Sequence, residues 1–237
     1  SILAVPLLVY VVGVESPHAA IGTAAVAVAL NAAAGLAGHA RAGTVKWPCA
    51  AVFALSGVIG AALGAEAGKA MDGQRLLALF GGLMLVVGAT MLRGRKGEER
   101  PDVRLQRDTA GVLLTRLIPI GFAVGLLAGF FGIGGGFLIV PGLILATGMP
   151  LRVAVGTSLM VVTALGLTTS ASYALSGYVD WALVGVLVAG GVIGAALGIV
   201  AGKKLAARKR AMELGFAAVV IAVGGYVLAQ GLQAIVS

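Results

Sequence analysis

The chain has 237 residues, of which 59% are hydrophobic and 11% charged, against roughly 25% charged residues in ordinary soluble domains. Its mean hydropathy of +1.06 excludes a water-soluble globular protein, because such a surface would not stay dissolved. The net charge of +8 does not indicate a nucleic-acid partner, because the basic residues flank apolar segments, as the loops of membrane proteins do. The composition therefore predicts an all-α membrane protein with several transmembrane helices.

Apolar segments of about the length of a membrane span, roughly 18 residues or more, follow one another along the chain. In the first part they predict a partial helix at about 1–14 and complete helices at about 17–38, 44–67 and 73–93. Glycine numbers 38, and small residues let helices approach closely in lipid. A tightly packed helical bundle is expected.

A charged segment at residues 94–109 divides the chain and is predicted to be a solvated linker. Beyond it, residues 110–237 predict helices at about 111–148, 150–176, 180–204 and 208–235.

The first of these later helices is too long to be one straight span. Its uncharged stretch, Leu117 to Leu151, would be about 52 Å long as a helix, against a hydrocarbon core of about 30 Å. Glycines crowd its centre, and each disfavours continuous helix by about 1 kcal/mol. The pattern predicts a broken helix, with two half-helices meeting at an unwound glycine segment.

The two parts of the chain repeat one another. The run Gly57 to Gly64 recurs letter for letter as Gly191 to Gly198, and Trp47 recurs as Trp181, always 134 positions later. We therefore expect two homologous four-helix halves, 1–93 and 110–237, with about eight transmembrane helices and a broken first helix in each half. On this register, about 25 residues equivalent to the start of the second half are expected to precede Ser1.

The parity of the crossings determines how the halves are related. Four crossings in each half is an even number, which gives an axis along the membrane normal, whereas a re-entrant hairpin at the glycines would make the number odd. On the even count, nine basic residues lie on the linker side and eight on the other, so charge leaves the orientation open.

The glycine break is the first candidate site. Unwound backbone inside a membrane is tolerated where it is buried in protein or lines a wet cavity. The N–H groups of Gly134, Gly135 and Gly136, with the positive end of the following half-helix, predict a site for an anion near the midplane. A nucleotide-binding glycine loop is excluded, because Phe137 stands where G-x-G-x-x-G needs a glycine.

Polar residues on the following helices extend this candidate site. His18 and Arg152 lie at helix starts, where they either attract the anion or face lipid headgroups. The hydroxyls of Thr23, Thr157 and Ser158 either contact substrate or bond back to their own helix. Asn31, at mid-membrane, either contacts substrate or joins two helices.

No catalytic or metal-binding constellation occurs in the sequence. The chain has two histidines and one cysteine, Cys49, with no acidic pair inside a span and no known nucleophile motif. We expect no enzyme activity, no cofactor and no metal.

The stretch LLAGFFGIGGGFLIVPGLILATGMPLRVAVGTSL, Leu126 to Leu159, resembles the signature of the TauE/SafE family of sulfite and organosulfonate exporters. The resemblance extends over nearly the whole chain and implies an inner-membrane permease with about eight spans. It also points, position by position, to the residues of the family's motif, of which all but the two prolines are expected to bind substrate. In the second half these are Gly134, Gly135, Gly136, Pro141, Thr157 and Ser158, and in the first half Ser1, Pro6 and Thr23.

The sequence and the resemblance together predict a secondary transporter that exports small sulfur-containing anions such as sulfite, sulfoacetate or other sulfonates. The halves would expose a midplane site alternately to either side. A passive anion channel and a non-transporting assembly or sensory subunit are the alternatives. The expected partners are the anion and the bilayer, without nucleic acid. A coupling proton or cation, a homodimer, the particular anion and the direction of transport are left open.

Overall fold

A computed structural model describes residues 2–92, 107–132, 136–205 and 209–236 of the chain. These residues form helices joined by short connections, with no β-strand among them. The helices are α1 (Ala4–Leu7, continued by a π-helical turn at Leu8–Val12), α2 (Pro17–Arg41), α3 (Trp47–Ala70), α4 (Gly73–Leu92), α5 (Arg107–Phe130), α6 (Gly136–Thr147), α7 (Leu151–Leu175), α8 (Trp181–Leu205) and α9 (Lys209–Val236).

Six stretches in the described part of the chain are long and apolar enough to cross a membrane. Shorter apolar helices are Gly136–Thr147 and Trp181–Ala195. The six stretches are Pro17–Arg41, Trp47–Ala70, Gly73–Thr90, Leu113–Phe130, Leu151–Leu175 and Ala217–Ala234. The chain is thus a multi-pass helical membrane protein.

Local sequence explains where several helices begin. The Asp72 carboxylate accepts hydrogen bonds of 3.1 Å from the backbone N–H groups of Gln74 and Arg75, and so caps α4. The Asp180 carboxylate caps α8 in the same way, through Ala182 at 2.9 Å and Leu183 at 3.1 Å.

The helix is interrupted at the predicted glycines. The helix α5 ends at Phe130, and Gly132 adopts a left-handed conformation with φ of 61°, which favours glycine. The next helix begins at Gly136.

The helix α6 folds back beside α5. A Cβ atom at Gly142 would lie 3.1 Å from Val124 Cγ2 and 3.5 Å from Ile120 Cγ2, both on α5. In a helix that continued in line, position 142 would lie about 27 Å beyond position 124, at about 1.5 Å per residue. The expectation of one crossing broken at its centre is therefore wrong, and the re-entrant hairpin is what the contacts describe.

The helices α2 and α7 cross in opposite directions. A Cβ atom at Gly166 would lie 2.9 Å from Ala29 Cβ, and one at Gly35 would lie 3.5 Å from Leu159 Cδ1. The partner's residue number falls as the residue number on α2 rises, which defines an antiparallel pair.

The helices α4 and α9 also pack antiparallel. A Cβ atom at Gly231 would lie 2.8 Å from Ala78 Cβ, whereas Gly88 faces Ile221. By contrast, α3 runs parallel to α5, since Gly57 faces Gly121 and Gly68 faces Phe130.

The bundle consequently has two ends, which differ in charge. At the hairpin end, α2, α4 and α8 begin and α3, α5 and α7 finish; the linker end is the opposite one. In the described ranges, the linker end carries Arg41, Lys46, Arg107, Arg116, Arg152, Lys203, Lys204, Lys209 and Arg210, and the hairpin end Lys69 and Arg75. An even number of crossings in each half predicted nearly equal numbers of basic residues at the two ends. That prediction is wrong, because the re-entrant hairpin makes the number of crossings odd.

Candidate functional site

The residues that follow α5, Phe131 and Gly132, lie inside the protein, near one end of the bundle. Phe131 is 7% exposed, and a Cβ atom at Gly132 would overlap the side chain of Ile21. Ile21 is the fifth residue of α2, and Phe130 meets Gly68 near the end of α3, so Gly132 lies nearer the hairpin end of the bundle than its middle. Residues 133–135 lie outside the described ranges, and the midplane position of the anion site stays a prediction.

A cluster of polar and aromatic residues surrounds the start of α2 beside these residues. The His18 ring lies 5.5 Å from the Tyr178 ring and 6.5 Å from the Tyr173 ring, measured between centroids. The hydroxyl oxygen of Thr23, on the next turn of α2, accepts a 3.0 Å hydrogen bond from the Asp180 backbone N–H. We call these five residues the aromatic corner.

Polar atoms at the aromatic corner lack partners. Tyr173 is 0% exposed, and its hydroxyl has no hydrogen-bond partner among the described residues. The same holds for His18 Nδ1 and for the hydroxyl of Thr169, which lies one turn before Tyr173 on α7.

A second cluster occupies the positions 134 residues away in the sequence, at the linker end. Thr157 Oγ1 accepts a 3.0 Å hydrogen bond from the Lys46 backbone N–H, and His39 Nδ1 lies 2.9 Å from Thr44 Oγ1. Thr44 Oγ1 also donates to the His39 carbonyl at 3.1 Å. Arg152 is exposed to the surroundings. We call these five residues the basic corner.

The two corners share one connection. In each, a buried threonine on one helix accepts a hydrogen bond from the backbone N–H of the residue before the tryptophan that begins another helix. Thr23 on α2 thereby holds the start of α8, and Thr157 on α7 holds the start of α3. The hydroxyl oxygens of both threonines thus have a role in joining helices.

The other predicted site residues are dispersed. Ser158 Oγ donates to the Val155 carbonyl of its own helix at 2.8 Å. Asn31 Nδ2 donates to the Leu187 carbonyl at 3.5 Å and so joins α2 to α8. Gly136 begins α6, whereas Ser1, Gly134 and Gly135 lie outside the described residues. Substrate contact by any of these residues stays a prediction.

Sequence reasoning gave no substrate role to Tyr173, Tyr178 and Thr169. Tyr173 had the pattern of an interfacial residue, because it sits near the end of an apolar segment. The internal repeat nevertheless indicates these tyrosines, because Tyr173 and Tyr178 lie 134 positions after the polar residues His39 and Thr44.

A network of charged and hydroxyl side chains joins α3 to α7 at the hairpin end. Lys69 Nζ lies 2.7 Å from Glu66 Oε1 and donates to Ser176 Oγ at 3.0 Å, which links α3 to α7. Ser172 Oγ donates to the same glutamate oxygen at 2.9 Å. The glutamate therefore carries its own counter-charge within the network.

The described residues contain no cluster of three or more His, Cys, Asp or Glu side chains that could hold a metal ion. Cys49 is a buried free thiol within α3.

The fold and the site define the class as a multi-pass helical membrane protein with an internal helix interruption. Residues 1–227 match the family model described as "Sulfite exporter TauE/SafE". The chain belongs to the TauE/SafE family of membrane transporters, which confirms the resemblance seen in the sequence.

Relatives agree with this assignment. Two strains of Xylella fastidiosa, Temecula1 / ATCC 700964 and 9a5c, each have a "Probable membrane transporter protein" that is 47% identical over 228 residues, covering 96% of this chain and 86% of the relative. "Probable membrane transporter protein YunE" of Bacillus subtilis (strain 168) is 28% identical over 230 residues, covering 92% of this chain and 83% of the relative. No solved structure matches the chain.

Proposed function

We propose that this protein is a secondary transporter that exports small sulfur-containing anions such as sulfite and sulfonates across the bacterial inner membrane. The observation that carries the proposal is the helix interruption between Phe130 and Gly136, whose described residues Phe131 and Gly132 are buried, in a chain of the family described as sulfite exporters. Interrupted backbone in a membrane protein belongs at a wet cavity or a protein interior. The start of α6 supplies the positive end of a helix dipole, which favours an anion there.

The halves of this transporter are proposed to be inverted repeats. The equivalent helices α2 and α7 run antiparallel, and so do α4 and α9. A two-fold axis that relates antiparallel helices lies perpendicular to them, hence in the membrane plane. This replaces the axis along the normal that an even number of crossings predicts. Inverted repeats are a common basis for alternating access.

The linker end is proposed to face the cytoplasm. Basic residues in short loops concentrate on the cytoplasmic side of membrane proteins, and the described ranges place most of theirs at the linker end. The aromatic corner would then lie toward the outside, where an exporter releases its cargo.

Transport is tested with purified protein in liposomes, by following saturable uptake of sulfite and sulfoacetate, with chloride and acetate as competitors. We expect saturable flux for the sulfur anions with little competition. Flux that rises linearly without saturation indicates the channel alternative. No flux of any sulfur anion contradicts the proposal.

Orientation is tested by single cysteines in a Cys49→Ala background, labelled in intact cells with a membrane-impermeant maleimide. Glu15→Cys, before α2 at the hairpin end, should label in intact cells, whereas Ala42→Cys, after α2, should label only after lysis. The reverse pattern contradicts the proposed orientation.

A further inference from the structure

We propose that the Tyr173 hydroxyl and His18 Nδ1 form a subsite that donates hydrogen bonds to an oxygen of the anionic substrate. The proposal rests on the proposed function, since it assigns the residues that hold the anion of that transporter. It places substrate recognition at Tyr173 and His18 and not at Thr23 and Thr157, the repeated threonines, whose oxygens are engaged in joining helices.

The first step concerns the cost of burying these atoms. A buried polar group without a hydrogen bond costs about 1–3 kcal/mol, and such groups are few in native proteins. Tyr173 is 0% exposed, so water does not reach its hydroxyl through the surface, and phenylalanine would fill the same space without that cost. Tyr10 also has a buried hydroxyl without a partner, so the hydroxyl of Tyr173 indicates a ligand only together with its position beside His18 and the helix interruption.

The second step uses the other corner as an internal reference. The repeat positions of Tyr173 and Tyr178 are His39 and Thr44, and these bond to one another at 2.9 Å. The connection between threonine and helix start is the same in both corners. The fold of a corner consequently does not require unpaired polar atoms, and those at the aromatic corner need a different explanation.

The third step concerns position. Tyr173 belongs to the same buried cluster as Phe131, and Phe137 packs against that cluster, so residues on both sides of the helix interruption border it. The start of α6 directs the positive end of its dipole into this region. Thr169 adds another buried hydroxyl without a partner one turn away.

The fourth step concerns the sign of the ligand. A phenol and an imidazole Nδ1–H donate hydrogen bonds, and both strengthen when the acceptor is charged. A cation would need free carboxylate ligands, but Asp180 Oδ1 of the corner accepts from two N–H groups at the start of α8, and the Glu66 carboxylate near the end of α3 is paired with Lys69 at 2.7 Å. The chemistry therefore favours an oxyanion such as sulfite or a sulfonate head group.

The experiment compares Tyr173→Phe with the wild type and with Tyr10→Phe. Tyr10 is a matched control, because its hydroxyl is also buried without a partner, while its ring contacts Tyr226 on α9 and not His18. The KM for sulfite and sulfoacetate uptake in liposomes and the thermal unfolding midpoint in detergent are measured for each. His18→Leu is examined alongside as a second variant of the subsite.

We expect Tyr173→Phe to raise the KM about tenfold or more, the factor that corresponds to one hydrogen bond to a charged group. Its unfolding midpoint should be equal to or above that of the wild type, and Tyr10→Phe should leave the KM unchanged. Wild-type flux with an unchanged KM in Tyr173→Phe overturns the subsite but leaves the proposed function standing. So does a Tyr173→Phe protein that loses stability with an unchanged KM. Absence of flux in the wild type overturns both.

Discussion

The aromatic corner and the basic corner occupy equivalent positions in the repeat, yet they treat their polar groups differently. Both use a buried threonine to hold the start of another helix. The basic corner then pairs His39 with Thr44, whereas the aromatic corner leaves buried polar atoms of Tyr173 and His18 unpaired. The shared feature builds the fold, and the difference marks where a ligand is expected. Substitutions at matched positions separate these two roles.

The largest effect is expected at the glycines where the corners touch α2 and α7. A Cβ atom at Gly22 would fall on the Tyr178 carbonyl oxygen, a backbone atom that yields poorly. At Gly156 the nearest atoms are Thr44 Oγ1 at 2.7 Å, His39 Nδ1 at 2.9 Å and the Thr44 carbonyl oxygen at 2.9 Å, so the backbone contact is less close than at Gly22. Gly22→Ala should cost about 3 kcal/mol and Gly156→Ala about 1–2 kcal/mol, as overpacking does.

Chemical unfolding in detergent, followed by circular dichroism, measures both alanine variants. A Gly156→Ala protein that is less stable than Gly22→Ala would show that the close approach of α2 to the α7–α8 connection is not as tight as described.

Loss of the hydrogen bond accepted by Thr23 and loss of the one accepted by Thr157 should lower the stability of the protein equally. Replacing Thr23 or Thr157 by the nearly isosteric valine leaves a part-buried backbone N–H, of Asp180 or of Lys46, without its acceptor. Each substitution should cost about 0.5–1.5 kcal/mol, the net contribution of one such hydrogen bond. Comparison of the two unfolding midpoints tests whether the corners share this feature. A loss confined to one variant would mean that the other connection contributes nothing to the fold.

The smallest effects should have opposite signs in the two corners. Thr44→Val removes the bonds with His39 and should cost about 1 kcal/mol. Tyr173→Phe removes a hydroxyl without a partner and should leave the free energy of unfolding unchanged or raise it in the absence of substrate. If Tyr173→Phe destabilises the protein as much as Thr44→Val, its hydroxyl has a structural partner and the contrast between the corners disappears.

Much of the helical pattern could be predicted from the sequence. The predicted helix at 17–38 is observed as Pro17–Arg41, and that at 180–204 as Trp181–Leu205. These limits follow from local signals, namely apolar length and the proline or tryptophan at the helix start. The interruption near Gly132 could be predicted for the same reason, because consecutive glycines disfavour helix wherever they occur.

The direction of α6 after the interruption could not be predicted, because it depends on tertiary packing. A Cβ atom at Gly142 would lie 3.2 Å from Phe53 Cζ on α3, a contact between residues far apart in sequence. Because α6 folds back beside α5, the number of crossings in each half is odd and not even. This changes how the halves are related and how the basic residues are distributed between the two ends.

Identical sequence also occurs in different surroundings. Gly60 and Gly194 occupy the same place in the repeated run, but a Cβ atom at Gly60 would overlap the α5 backbone, while at Gly194 there is open space among the described residues. The candidate site was only partly predictable for a related reason. Tyr173 and His39 each lie near the end of an apolar segment, which by itself does not indicate a site, whereas their contrast becomes informative when the corners are compared.

The most direct test of the central claim is the water accessibility of the hairpin tip in the membrane. In a Cys49→Ala background, Phe137→Cys at the tip and Ile59→Cys, in the middle of α3 and 60% exposed on the isolated chain, are labelled in membranes with a charged, water-soluble maleimide. The account predicts that Phe137→Cys is labelled, that sulfoacetate slows this labelling, and that Ile59→Cys is not labelled because lipid covers it. An unreactive Phe137→Cys beside a reactive Ile59→Cys would contradict the account.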